Sequence, residues 1–452
     1  MTAKTTKETI TWKQLISFFL PLGLSATLVT LSHVIINSTL ARADNPEVVI
    51  ASYALPLSLL GLTERPVVLL RQACSALVRD RISFRAMAAV STYVFACIIL
   101  IGLILCYTPV GEWVFLYFFG VERELLDTTL SVYRILMYVS IFSGLRCLFH
   151  GIIIFNMRTK WLTIGMCVRI IAMYLLSLYF ITTDNVSSGR VGAIIFLVGM
   201  IIEAMVAIWE GTNLLRTVIP EKAPDHPIET KQQIFSFYKP LLYSSIIAVV
   251  IGPSINAILG KTTHIHLAIS SYAIAGSLTQ LVLSFFSYIH QIVLNFYRKD
   301  ARTVVRFVFL LSFIPGALIA ILAYTALGPW FMTHVMGVNS ELMHASLLAM
   351  RVFMIMTIVF PWLDYMNGII MLRGQTKIMV FSQTANAIVT VLTLFIAISN
   401  VPGWNGLIGA LAQSVGMLAE LLVVLFVLKR TNENGQTNFS TENFVKKSSD
   451  NY

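Results

Sequence analysis

The sequence predicts an all-α polytopic membrane protein of about twelve transmembrane helices in two parallel six-helix bundles. Three observations carry that expectation: composition, the spacing of apolar stretches, and an internal repeat. Of the 452 residues, 57% are hydrophobic and 12% charged, with a mean hydropathy of +0.79. A soluble domain carries about 25% charged residues. Water could not solvate so apolar a chain, whereas helices pair their own backbone groups and are stable in lipid.

Stretches long enough to cross a bilayer, about 20 residues, lie near 14–40, 48–78, 86–107, 125–153, 161–181 and 191–216. A second set lies near 236–260, 266–296, 302–327, 342–370, 378–399 and 405–428. The first span opens on Thr11-Trp12-Lys13 without a small-residue cleavage pattern, which predicts a retained helix. The expected organisation is a bundle over 1–216, a cytoplasmic linker over 217–233, a second bundle over 234–430 and a disordered tail over 431–452.

The formal charge of +10 concerns orientation, not nucleic acid. With both termini on one side, that side holds 21 Lys and Arg, against Arg42, Arg123, Arg190 and Lys261 opposite. The positive-inside rule therefore places both termini in the cytoplasm of a plasma membrane, expected to be bacterial. The five cysteines fall in or beside the spans, without metal-ligand spacing, and read as packing residues.

The repeat has an offset of 219 at first. Phe18, Pro21 and Leu22 match Phe237, Pro240 and Leu241, and Ile50 to Leu55 match Ile269 to Ile274. From the third span the offset is 217: Trp113 matches Trp330, Gly120-Val121 matches Gly337-Val338, and Gly151-Ile152-Ile153 matches Gly368-Ile369-Ile370. Gly192-Ala193 likewise falls on Gly409-Ala410. An even number of spans per repeat gives both halves one orientation, with an expected binding site at their interface. Such construction implies alternating access and transport.

Ionisable residues inside spans are costly and mark function or pairing. Arg134 aligns with Arg351 and Glu203 with Glu420, and each Arg lies at a depth from which it could meet the Glu of its own bundle. Paired in this way, they read as ties between helices or as charges facing a cavity, with the Glu residues exchanging protons. Other charges are unmatched: Arg65 faces Ser284, Arg146 faces Leu363 and Asp364 faces Cys147. Glu64-Arg65-Pro66 lies mid-span, where proline removes a helix hydrogen bond and predicts a kink. Six arginines (65, 71, 134, 146, 169 and 351) stand against five acids within the spans, and a cavity so lined favours an anion.

On these grounds Arg65, Arg134, Arg146 and Arg351 are the expected substrate ligands. Glu64, Glu203, Asp364 and Glu420 are the expected coupling or ion-pair residues. His33, His150 and His290 are further titratable groups in the spans. No HExxH, GxSxG, phosphate loop or Cys/His ligand pattern occurs in the sequence, so neither enzyme activity nor a cofactor is expected. Expected partners are a small-molecule anion, membrane lipid and a coupling proton or sodium ion, with a monomer sufficient.

Two parallel six-helix repeats joined by a cytoplasmic linker resemble the multidrug and toxin extrusion fold and its superfamily, which also holds lipid-linked oligosaccharide flippases. Within it the chain is most similar to the progressive ankylosis group. That similarity rests on Phe19-Leu20-Pro21-Leu22-Gly23, Ala51-Ser52-Tyr53, Gly337-Val338 and Leu348-Ala349-Met350-Arg351-Val352-Phe353. The resemblance implies export of an anionic metabolite of the nucleotide, citrate or pyrophosphate class. The drug-extrusion branch typically carries an acid in its first helix, and no acid occupies that span here. A flippase for a phosphate-bearing lipid, a cation-coupled drug exporter and a non-transporting receptor or assembly factor remain alternatives.

Overall fold

The computed structural model describes residues 10–433 except 120, 122, 225, 336 and 337. The expected tail over 431–452 falls almost wholly outside these residues, as do Gly120 and Gly337 of the repeat. Every regular element among the described residues is helical. In order they are α1 (Trp12–Leu40), α2 (Pro46–Thr63), α3 (Arg65–Leu77), α4 (Arg81–Tyr107), α5 (Pro109–Trp113), α6 (Arg123–Phe155), α7 (Lys160–Thr182) and α8 (Arg190–Thr217). They continue as α9 (Lys231–Leu259), α10 (Ile265–Phe286), α11 (Ile289–Phe296), α12 (Ala301–Tyr324), α13 (Leu327–Trp330), α14 (Ser340–Leu372), α15 (Lys377–Asn400) and α16 (Gly406–Glu433).

Among the described residues, eleven spans are long and apolar enough to cross a membrane, or twelve if α2 and α3 count as one broken span bent by 41°. At about 1.5 Å per residue, helices of this length exceed the hydrocarbon core of roughly 30 Å. Large apolar side chains stay exposed on their outer faces, among them Ile171, Leu175, Phe313 and Phe381. Such faces are stable in lipid and costly in water. Cys97 and Cys167 are also exposed, so only Cys74, Cys106 and Cys147 pack in the interior as expected.

The bend falls where the sequence places it. Thr63 ends α2 and Glu64 caps α3, whose second residue is Pro66. Proline is well suited to a helix start, where its missing N–H would have no partner in any case. The Tyr238 hydroxyl donates to the Pro66 carbonyl (2.7 Å) and so occupies an acceptor beside the bend.

The repeat holds element by element. Helices α6 and α14 have 33 residues each, α1 and α9 have 29 each, and α8 and α16 have 28 each. Even a five-residue π-helical turn after α5 (Val114–Phe118) returns after α13 (Phe331–Val335). Side-chain packing repeats as well. A Cβ on Gly192 would meet Leu40, Ile36 and Tyr53, and a Cβ on Gly409 would meet Leu259, Ile255 and Tyr272. These are the same three neighbours, each 219 residues on, closing on the same bare patch of helix.

The described residues form two compact units, 24–238 and 10–23 with 239–433. The boundaries of these units fall inside α1 and α9. In the first unit α6 packs on α2, α3, α4 and α8; in the second α14 packs on α10, α11, α12 and α16. The central helix of each unit is therefore the longest, and its charges are the ones best placed to meet others.

The segment before α9 is docked on the first unit. The Arg81 backbone N–H donates to the Pro220 carbonyl (3.0 Å), and its side chain donates to the Leu215 and Arg216 carbonyls (2.8 and 3.0 Å). Asp80 caps α4 by accepting from the Ser83 backbone and hydroxyl (2.8 and 2.6 Å), and its other oxygen accepts from the Ala223 N–H (3.0 Å). Burial disfavours the Asp80 carboxylate, but these hydrogen bonds outweigh it and hold the pKa below its ordinary value. Burial lowers the pKa of His226 in the same segment.

Candidate functional site

The first unit buries an arginine–carboxylate cluster between α6, α7 and α8. Arg146 donates through Nη1 to both oxygens of Glu203 (3.1 Å each), and Arg169 donates through Nη1 to Oε2 (2.8 Å). Arg169 is 1% exposed, Glu203 3% and Arg146 9%. Three charges can share so dry a site only because the carboxylate lies between the guanidiniums. Gly199, one turn before Glu203 on α8, makes room for Arg169: a Cβ there would meet Met173 at 2.6 Å and Arg169 Cγ at 3.2 Å.

The cluster extends to the bend between α2 and α3. Arg146 Nη2 donates to Ser143 Oγ (3.3 Å), and Ser143 in turn donates to Glu64 Oε1. Glu64 is half-buried. Its charge is thus linked to the cluster through one hydroxyl, at the place where the helix path breaks.

On the opposite side Arg169 has donors to spare. Its Nε and Nη2 are buried without a hydrogen-bond partner, and its guanidinium lies over the Phe196 ring at 5.2 Å. His33 of α1 lies against the same ring (5.4 Å between centroids), and both His33 and Tyr53 are within electrostatic reach of Arg169. The Tyr53 hydroxyl and His33 Nδ1 are likewise buried and unpartnered. Guanidinium donors and an imidazole on one aromatic ring suit a ligand rich in acceptor oxygens.

The second unit carries the same carboxylate in different company. Glu420 of α16 is 5% exposed and accepts from Asn386 Nδ2 (2.7 Å). The Gln383 amide, oriented to match its neighbours, donates to both Glu420 oxygens (2.9 and 3.2 Å). Thr390 donates to Asn386 Oδ1 (3.1 Å). Asn386 stands where Arg169 stands in the first repeat, Leu363 where Arg146 stands, and Gly416 where Gly199 stands. Elsewhere in this unit, Asp364 accepts from the His290 backbone N–H (2.9 Å) and faces His290 Nδ1 (3.0 Å) at the start of α11.

The expected meetings of Arg134 with Glu203 and of Arg351 with Glu420 do not occur. Both arginines are exposed. Arg134 donates to the Cys106 carbonyl (3.5 Å) and lies over Tyr107, and Arg351 donates to the Ala323 carbonyl (3.3 Å) and lies over Tyr324. Each covers the C-terminal end of the preceding long helix, where a cation is favoured. They make repeat-related contacts with a helix end and not with the glutamates. Arg65 is exposed beside the bend.

Of the expected site residues, the structure brings Glu64, Arg146 and Glu203 into one network and leaves Arg65, Arg134 and Arg351 outside it. Arg169 belongs to the network and was not among the expected ligands. Its signal was present in the sequence, since offset 217 sets it against Asn386 and makes it an unmatched charge. The expected coupling residue Asp364 gains His290 as its partner, which sequence spacing gave no means of pairing.

No protein-family model and no curated protein matches the chain. Solved structures do. A MOP superfamily transporter from Pyrococcus furiosus Vc1, described as having a binding pocket of reverse polarity, is 15% identical with a TM-score of 0.73, over 94% of this chain and 97% of that one. An outward-facing multidrug resistance MATE family transporter of the same superfamily is 14% identical, with a TM-score of 0.74 and the same coverage. A MATE structure in the straight conformation is 15% identical with a TM-score of 0.71, again over 94% and 97%. The progressive ankylosis subgroup is not among what these likenesses show. Over 94% of its length the chain has the fold of these MATE transporters of the MOP superfamily.

Proposed function

We propose that this chain is a secondary-active membrane exporter of an organic or phosphorylated anion, of the nucleotide, citrate or pyrophosphate class. The observation that carries the reading is Arg169: a fully buried guanidinium with two unpartnered donor atoms, lying over the same Phe196 ring that His33 packs against. A guanidinium stays charged when buried and binds carboxylate or phosphate with two parallel hydrogen bonds. Arg146 and Arg169 share Glu203, and Glu64 reaches Arg146 through Ser143, so Arg169 is the guanidinium with donors left for an anionic ligand.

In this reading Arg169 and Arg146 hold the substrate, with Arg65 at the bend as an outer ligand. Glu203 keeps the two guanidiniums in place until the anion competes for them. Glu64, reached through Ser143, relays that change to the break between α2 and α3. Both termini lie in the cytoplasm of the plasma membrane.

Cation-coupled drug export is the second reading, favoured by the likeness to a multidrug resistance transporter. Purified protein in liposomes separates the two when tested for flux of labelled ATP, citrate, pyrophosphate and a cationic dye. Anion flux that is lost in Arg169→Gln supports the proposal. Dye flux without anion flux overturns it.

A further inference from the structure

The exposed side of α12 changes character along its length. Phe309, Leu310 and Phe313 are about half exposed and form an apolar stripe of the kind that faces lipid. Nearer the start of the helix the same side carries Arg302, Val305 and Arg306, all exposed. Spacings of three and four residues keep these six positions on one face, while Val304, Val308 and Leu311 turn inward and are buried. Ala301, Arg302, Val305 and Arg306 line a shallow surface cavity of about 320 Å³.

Neither guanidinium has a protein acceptor. Among the described residues, Arg302 and Arg306 donate no hydrogen bond and form no ion pair. The adjacent acid, Asp300, is engaged in capping α12, where it accepts from the Thr303 N–H and hydroxyl (3.1 and 2.6 Å). The first repeat treats the position differently. At offset 217 Arg302 falls on Arg85, which donates to Glu221 Oε1 (2.8 Å), and Arg306 falls on Ala89. Counting 217 on from Glu221 reaches Asn438, which has no charge. The first unit thus supplies an acid to its one arginine, whereas the second sets two arginines together with no acid in contact. A cation in the opening turn also opposes the helix dipole, so an anion from outside the chain is favoured on both counts.

We infer that Arg302 and Arg306 hold the phosphate of an anionic phospholipid whose acyl chains run along Phe309, Leu310 and Phe313. Phosphate oxygens match guanidinium donors. The apolar stripe begins one turn below the pair, which suits a molecule that is charged at one end and apolar along the rest. A free phosphate would use the arginines and leave the stripe unused. Arg298, Lys299, Arg302 and Arg306 fall within nine residues, and such a basic cluster at a span end attracts anionic lipid. Two crossings of the bilayer separate the start of α9 from the start of α12, so in the orientation proposed above the pair lies at the cytoplasmic leaflet. The binding itself does not depend on what the chain transports.

The test uses the full chain purified in detergent and read by native mass spectrometry. It is titrated with short-chain phosphatidylglycerol, phosphatidylcholine and inorganic phosphate. We expect phosphatidylglycerol to be retained and to bind about tenfold or more tightly than phosphatidylcholine, whose headgroup has no net charge. Arg302→Gln combined with Arg306→Gln should weaken phosphatidylglycerol about thirtyfold, since each basic residue at a membrane surface contributes about fivefold. Lysine at both positions keeps the charge and should stay within about fivefold of the wild type. Arg85→Gln, which removes an arginine already paired with Glu221, should leave lipid binding unchanged. Equal retention of the two lipids, or retention unaltered in the double glutamine variant, overturns the inference. Inorganic phosphate that displaces the lipid at equal concentration assigns the arginines to a free anion and overturns it too.

Discussion

Arg169 and Asn386 occupy the same position in the two repeats, and each donates to the same glutamate of its own repeat: Arg169 to Glu203 at 2.8 Å and Asn386 to Glu420 at 2.7 Å. This exchange of cation for amide, with Leu363 in the place of Arg146, gives two units of common fold opposite electrostatic requirements. The first unit has guanidinium donors in excess, and the second has a carboxylate without a countercharge.

Charge-removing substitutions at the two glutamates should therefore diverge. Glu203→Gln leaves two buried guanidiniums facing each other and should cost about 3–5 kcal/mol, the range for breaking a buried ion pair. Glu420→Gln keeps shape and sits among amides, so its cost should stay below about 1 kcal/mol. Unfolding in detergent followed by intrinsic fluorescence measures both. Equal destabilisation would contradict the difference in surroundings.

Arg169→Met should be tolerated better than Glu203→Gln, at about 2 kcal/mol, because Arg146 still neutralises Glu203. Anion flux should nonetheless fall at least about tenfold, as expected for losing a charge-assisted contact worth about 1.5–3 kcal/mol. Arg134→Ala and Arg351→Ala, which remove exposed helix-end contacts, should leave stability within about 0.5 kcal/mol and flux near wild type.

The turn after α6 has the same hydrogen bonds as the turn after α14, yet Met157 (φ 59°) stands in the first where Gly374 (φ 68°) stands in the second. A side chain in the left-handed region costs about 1–2 kcal/mol. Met157→Gly should therefore raise stability, offset in part by the added freedom of the unfolded chain, and Gly374→Ala should lower it by about 1 kcal/mol. Paired melting curves test both signs.

Docking of the segment before α9 should weaken in acid. Asp80 has a folded-state pKa below its unfolded value, so its contribution is fully present above about pH 3.9, the ordinary carboxyl value, and is lost as pH falls through the folded value. Asp80→Ala should remove about 1 kcal/mol of helix capping at neutral pH. Limited proteolysis within residues 217–233, compared between neutral and acidic buffer, reports the change. The variant should be cut readily at both.

The sequence by itself determined that the chain is helical, made for lipid and built twice over. Apolar stretches of bilayer length and the order of Trp, Pro and Gly in the two halves are one-dimensional properties, legible without coordinates. It also determined that Glu64 and Pro66 would break a span, because proline acts on its own helix. Partner choice was different. Arg134 and Glu203 share a depth, but depth says nothing about the side of a helix on which a charge points. Only the packing of α7 against α8 across Gly199 brought Arg169 and not Arg134 to Glu203. The same geometry, with asparagine in place of arginine, left Glu420 without a cation, and that difference follows from three helices meeting, which no single stretch of sequence specifies.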